Sequence, residues 1–232
     1  MNIYFDIETI PCQLAGIKDE LAAAVTAPAQ FKKPESIAEW LRENREAEAE
    51  QAWLKTSFDG GLGQICCIGW AIDDGAPMSR NVTSSDSSQE ADMLRNWFHS
   101  LTSARHIADR QVFIGHNSNG FDIPFIWKRS IVLGVKPPIW FPRDPKPWGE
   151  STFDTMIAWN GIGAKAGGSM NRICKILGIP GKEGMDGSQV WPAFQEGRHD
   201  EIAAYCRDDV ARTRAMHQRM TFSAAATEAL AA

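Results

Sequence analysis

The stretch Ile3-Tyr4-Phe5-Asp6-Ile7-Glu8-Thr9 reads as a strand with two chemically different faces. Side chains alternate across a strand, so Ile3, Phe5 and Ile7 share one side while Tyr4, Asp6 and Glu8 share the other. The apolar side suits packing under helices. The opposite side sets two carboxylates two residues apart, where each raises the other's proton affinity unless a cation lies between them. Oxygen donors of this kind take hard divalent cations, so a metal is the natural third party. A solvated acidic strand face would carry the same residues, and the downstream sequence has to decide between the two.

A chain of 232 residues can bury a sizeable core as one large domain carrying an insertion. Its 44% hydrophobic and 23% charged residues place it with soluble globular proteins. The net charge of -5 argues against a protein that coats nucleic acid by bulk electrostatics, but not against an enzyme that handles it locally. Cys12, Cys66, Cys67, Cys174 and Cys206 contain no C-x-x-C pair, which argues against a disulfide framework or a zinc site and for a reducing compartment. The acids at positions 6 and 8 interrupt any signal-like apolar start, and no run is long enough to span a bilayer. The expectation is a soluble, cytoplasmic protein without a membrane partner.

Residues 13–60 differ in character from the rest of the chain. Pro28 and Pro34 precede a charged helix over residues 35–58 whose apolar stripe is Ile37, Trp40, Leu41, Trp53 and Leu54. This is a helical insertion after the first strand, with scaffolding as its simplest role. The run Ile65-Cys66-Cys67-Ile68 reads as a second strand, closed by the turn signal Asp73-Asp74-Gly75. Residues 80–84 read as a short third strand, and Ser87 or Ser88 as the cap of a helix with core residues Met93, Leu94, Trp97, Phe98 and Leu101.

Val112-Phe113-Ile114 is a buried strand running into the turn-rich Gly115-His116-Asn117-Ser118-Asn119-Gly120. A helix comes next, with Pro124 tolerated in its first turn, so Asp122 stands beside a strand end where sites form in open α/β sheets. Residues 136–150 hold five prolines and mix Lys136, Arg143 and Lys146 with Trp140, Phe141 and Trp148. The segment is either a proline-stiffened surface loop or a place for bases to stack. Asp154 reads as a helix cap. The glycines at 163 and 168 lack the lysine of a nucleotide-binding P-loop. The alanine-rich tail from about 223 should fray.

The last helix carries Tyr205 and Asp209 four residues apart on one face, with Asp208 turned about 100° away. Taken together, the three acidic segments resemble the 3′–5′ exonucleases of the DEDD superfamily. Phe5-Asp6-Ile7-Glu8-Thr9, Asn117-x3-Phe121-Asp122 and Tyr205-x3-Asp209 are similar to the three motifs of its tyrosine (DEDDy) subgroup. That subgroup includes the exonuclease domain of family B DNA polymerases and stand-alone relatives, which the run from Asp186 to Val190 also resembles. The histidine subgroup would need His-x4-Asp, and His199 is too far from Asp208 and Asp209. The resemblance covers residues 1–12 and 64–216. The insertion at 13–60 departs from it.

The resemblance implies a ribonuclease-H-like α/β fold, a mixed five-stranded sheet flanked by helices, spanning 1–232 as a single exonuclease domain. It implies a 3′–5′ exonuclease acting on single-stranded nucleic acid, DNA rather than RNA, and releasing nucleoside 5′-monophosphates. Asp6, Glu8, Asp122 and Asp209 would ligate two Mg²⁺ or Mn²⁺ ions, which at about 3.5–4 Å apart clamp the attacking and leaving oxygens. Tyr205 would orient the attacking water, a phenol with a pKa near 10 being a poor base at neutral pH. Thr9 through its backbone, Asn117 and Phe121 would form the substrate-binding set, and Lys128, Arg129, Lys165, Arg172, Lys175 and Lys182 are candidate phosphate contacts. The partners implied are a nucleic-acid 3′ end and a replication or repair protein. The length leaves no room for an accompanying polymerase domain. An inactive binding module and an internally cutting phosphoesterase on the same fold are the alternatives.

Overall fold

The opening strand, β1 (Asn2–Ile10), is the centre of a five-stranded sheet in the order β3-β2-β1-β4-β5. The computed structural model describes residues 1–105, 110–146, 149–163, 168–181 and 184–223. β2 (Gln64–Ile72) pairs antiparallel with β1, and β3 (Met78–Asn81) antiparallel with β2. On the other side β4 (Val112–Gly115) runs parallel to β1, and β5 (Thr152–Asp154) parallel to β4. This is the mixed α/β sheet that the resemblance implies. The third strand covers 78–81 instead of 80–84. The fifth strand was invisible in the sequence because three residues carry no usable alternation.

Both faces of β1 are covered. Phe5 packs against Trp97 of α3 (Ser87–Ala104) and edge-on against Phe113 at 5.7 Å, inside the main core with α4 (Asp122–Val132). On the Tyr4/Asp6/Glu8 face lies the long helix α8 (His199–Met220). Tyr4 packs there with Ala71, Ile114 and Val210, and its hydroxyl meets His217 Nδ1 at 3.1 Å. α8 can come this close because β2 offers Gly69 opposite Asp6. A Cβ at Gly69 would stand 2.8 Å from Cys206 Sγ and 3.1 Å from the Cys206 carbonyl. One register irregularity comes after Glu8, whose partner is Cys67 while that of Thr9 is Ile65. The extra residue, Cys66, bulges and its thiol reaches the Glu8 carbonyl at 3.4 Å. Bulges redirect neighbouring side chains and suit functional strands.

Several local expectations change. The α3 cap is Asp86, whose carboxylate accepts from Ser88 N at 2.8 Å, while Ser87 is already helical. The insertion is two helices, α1 (Ile17–Ala24) and α2 (Pro34–Lys55), then a 3-10 turn at Thr56–Phe58. Of its expected apolar stripe only Trp53 is buried. Trp140 and Phe141 are not a stacking surface: Phe141 is buried against Trp97, Phe98 and Phe113, and Trp140 packs on Phe113. Trp148 and the alanine-rich tail lie outside the described residues. All five cysteines are buried, and among the described residues no disulfide joins them.

Arg129 is not a phosphate contact either. It is buried, and its guanidinium forks onto Glu90 at 2.8 and 2.6 Å, while Glu90 also accepts from Ile65 N. The pair ties α4 to α3 and β2. Lys128 is exposed and ion-paired with Asp59, Arg172 and Lys175 are exposed, and Lys165 and Lys182 lie outside the described residues. Among the described residues no helix is long and apolar enough to cross a membrane.

Candidate active site

β1 contributes the first two acids. Asp6 and Glu8 extend carboxylate oxygens to the α8 side, where they and Cys206 Sγ lie within 4.8 Å of one another. The cysteine was not foreseen. Burial raises its thiol pKa well above the ordinary value, with Cys67, Asp6 and Glu8 adding to the shift. It therefore stays protonated and donates to the Asp6 backbone carbonyl at 3.5 Å.

Asp122 arrives from the far side of β1. Its Oδ1 accepts from Ile7 N at 3.2 Å, placing the first residue of α4 against the acidic stretch of the strand. The loop before it is held by Asp154, whose carboxylate accepts from Asn117 N and Asn119 N at 3.0 Å each while capping α5 (Thr155–Asn160) through Met156 N and Ile157 N. The helix cap expected at Asp154 is present, and it also clamps the loop. That anchoring lets Asn117 sit at φ +61 with its side chain exposed. Burial, then the charges of Asp154 and Asp209, push the Asp122 carboxyl up to about 7.

α8 closes the group. Asp209 is buried while Asp208, one position away, is exposed, as the helical period requires. Asp209 Oδ1 takes a 2.9 Å bond from Arg212, whose other nitrogens hold the carbonyls of Pro180 and Gly181. Tyr205 is partly buried, and its phenol is pushed far above its ordinary value by burial and by the charges of Glu8, Asp209 and Asp6. It remains a proton donor at neutral pH.

Thus Asp6, Glu8, Asp122, Tyr205 and Asp209 do converge. The donor set is hard carboxylate oxygen, burial and then the neighbouring carboxylates hold the Asp122 member partly protonated near neutrality, and Arg212 only partly offsets the charge. Such a set fits a divalent cation. Sequence reading missed Arg212, though Asp-x2-Arg on a helix is the spacing of an adjacent ion pair. It also gave Thr9 only a backbone role, whereas the Thr9 hydroxyl donates to the Ser57 carbonyl at 2.7 Å, binding the insertion to the site. Phe121 lines a cavity of about 590 Å³ that opens at Glu8 and Thr9.

Residues 62–230 match the family described as predicted 3′–5′ exonucleases related to the exonuclease domain of PolB. The chain belongs to this family. In this member of the family the matched segment holds Asp122, Tyr205 and Asp209, while Asp6 and Glu8 stand on the strand ahead of it. The fold is similar to that of the family B DNA polymerase from the hyperthermophilic archaeon Pyrobaculum calidifontis. The TM-score is 0.57 and the identity 15%, over 95% of this chain and 24% of that one. This exonuclease-family chain spans about a quarter of the polymerase's length, and the likeness is one of fold. Among proteins of curated function none matches at a significant level.

Proposed function

We propose that the protein is a metal-dependent 3′–5′ exonuclease that removes nucleoside 5′-monophosphates from the 3′ end of single-stranded nucleic acid, DNA in preference to RNA. The observation that carries this reading is the meeting of four carboxylates from β1, α4 and α8 beside one phenol. Asp6, Glu8, Asp122 and Asp209 would hold Mg²⁺ or Mn²⁺, which when bound supplies Lewis-acid stabilisation and an acidified water. Tyr205, kept protonated, donates a hydrogen bond that orients the attacking oxygen. Asp154 keeps Asn117 and Asp122 in register for the incoming end, and Arg212 fixes the rotamer of Asp209. The fold's occurrence within a family B polymerase supports a replication or repair setting for its partners.

The test uses 5′-labelled single-stranded DNA and RNA of one sequence, incubated with Mg²⁺, Mn²⁺ or EDTA beside an Asp6→Ala control. A single-nucleotide ladder lost in EDTA and in the variant supports the proposal. Internal fragments would favour a phosphoesterase cutting within the chain. Tight binding without any cleavage would favour an inactive binding module.

A further inference from the structure

The cavity that begins at Glu8 and Thr9 has two walls of different origin. Phe121 and Trp191 form one, and the insertion forms the other through Leu54, Lys55 and Phe58. Its volume of about 590 Å³ is in the range that holds small organic ligands, ample for a nucleotide. Phe58 lines the cavity yet is 72% exposed, and its ring meets Phe121 edge-on at 6.3 Å. Lys55 is the one cation among the described residues lining the cavity.

The turn carrying Phe58 is fixed to the catalytic strand. Thr9 Oγ1 donates to the Ser57 carbonyl, Cys12 N to Thr56 Oγ1, and Trp53 Nε1 to the Cys12 carbonyl, each at 2.7 Å. Trp53 also meets Trp191 edge-on at 5.4 Å, so the two walls are braced against each other. A Cβ at Gly63 would stand 2.6 Å from the Thr56 carbonyl, leaving no slack behind the turn. An insertion that served only as scaffolding would not need an exposed aromatic held this firmly at the mouth of the acidic site.

We infer that the insertion is the second wall of the substrate cleft: Phe58 and Phe121 offer ring faces to the terminal unpaired bases, and Lys55 meets a backbone phosphate. The inference rests on the exonuclease reading for its substrate class. Aromatic platforms bind any base by its π-face, and a base already stacked and paired in a duplex cannot present that face. The occupant is therefore a single-stranded 3′ end, regardless of sequence.

Fluorescence anisotropy with a labelled single-stranded oligonucleotide in Ca²⁺, which screens the carboxylates, reads binding separately from cleavage. Phe58→Ala should raise Kd about tenfold and leave the thermal midpoint unchanged, with Phe58→Trp restoring affinity. Lys55→Ala should reduce the slope of log Kd against log salt by about 0.7, the loss of one phosphate contact. A blunt duplex should bind more weakly and be indifferent to Phe58→Ala. Wild-type affinity for the single strand in both Phe58→Ala and Lys55→Ala, or no measurable wild-type binding, overturns the inference. Failure of the exonuclease reading shows instead as wild-type protein that binds the single strand but yields no ladder in Mg²⁺ or Mn²⁺.

Discussion

Arg212 Nη1 lies 2.9 Å from Asp209 Oδ1, three residues along α8, so the acid one helical turn beyond Tyr205 is already neutralised in part by its own helix. Both side chains are nearly buried, at 11% and 6% exposure. The same guanidinium holds the carbonyls of Pro180 and Gly181, which joins the site to the segment after α6 (Met170–Leu177).

Removing that guanidinium should matter most when no cation is bound. Arg212→Gln is expected to destabilise the metal-free protein by about 2 kcal/mol, the scale of a charged hydrogen bond lost in a nearly buried setting. Mn²⁺ should return part of the loss, because it neutralises Asp209 in place of the guanidinium. Thermal unfolding of both proteins with Mn²⁺ and with EDTA measures this, and equal losses in the two conditions would contradict it.

Asp122 gives a pH prediction. Its folded value, about 7, lies above the ordinary carboxylate value of 3.8, so the fold favours its protonated form. That contribution is fully present below pH 3.8 and is lost as pH rises through 7. At pH 8 without metal, Asp122→Asn should therefore be more stable than wild type by roughly 2 kcal/mol, about 5 °C in Tm. With Mn²⁺ the order should narrow or reverse, since only the carboxylate ligates. Scanning calorimetry from pH 4 to pH 8 shows the outcome directly (the pH limits bracket about 4 for a free carboxyl and about 7 for this one).

Arg129→Ala should cost about 3–5 kcal/mol, because it leaves Glu90 charged, buried and without its partner. Any surviving folded protein should bind single-stranded DNA with wild-type affinity. Denaturant titration and a binding isotherm distinguish this from loss of a phosphate contact, which would weaken binding and spare stability.

Gly69→Ala should push α8 away from β2. The added methyl meets Cys206 Sγ at 2.8 Å and Val210 Cγ2 at 3.1 Å, an overpacking cost of about 1–3 kcal/mol. The displacement separates Asp209 and Tyr205 from Asp6, so the expected loss in single-turnover rate is at least about tenfold, misplacement of a catalytic group by a fraction of an ångström being enough. Rate measurement beside circular dichroism checks that the fold survives while activity falls.

The sequence was informative where a residue's role depends on near neighbours. Alternation in residues 3–9 set the acids apart from the core face, the helical period separated Asp209 from Asp208, and Asp154 could be recognised as a cap. It misled where burial is decided by distant chain. Arg129 stands among six candidate phosphate contacts until Glu90 meets it from another helix, and of the two readings open for Trp140 and Phe141 the stacking surface fails because α3 and β4 cover them.

By itself the sequence determined the first strand, the acidic residue types, the Tyr-x3-Asp face of the last helix and the existence of an insertion. These come from local periodicity and side-chain chemistry. Only the tertiary structure decided that Cys206 and Arg212 stand among the acids, that Asp154 clamps the loop ahead of Asp122, and that the insertion is bolted to Thr9 and lines the cleft. The reason is that proximity between segments 37 to 200 residues apart depends on how closely two elements can approach, which at Gly69 comes down to a missing methyl group.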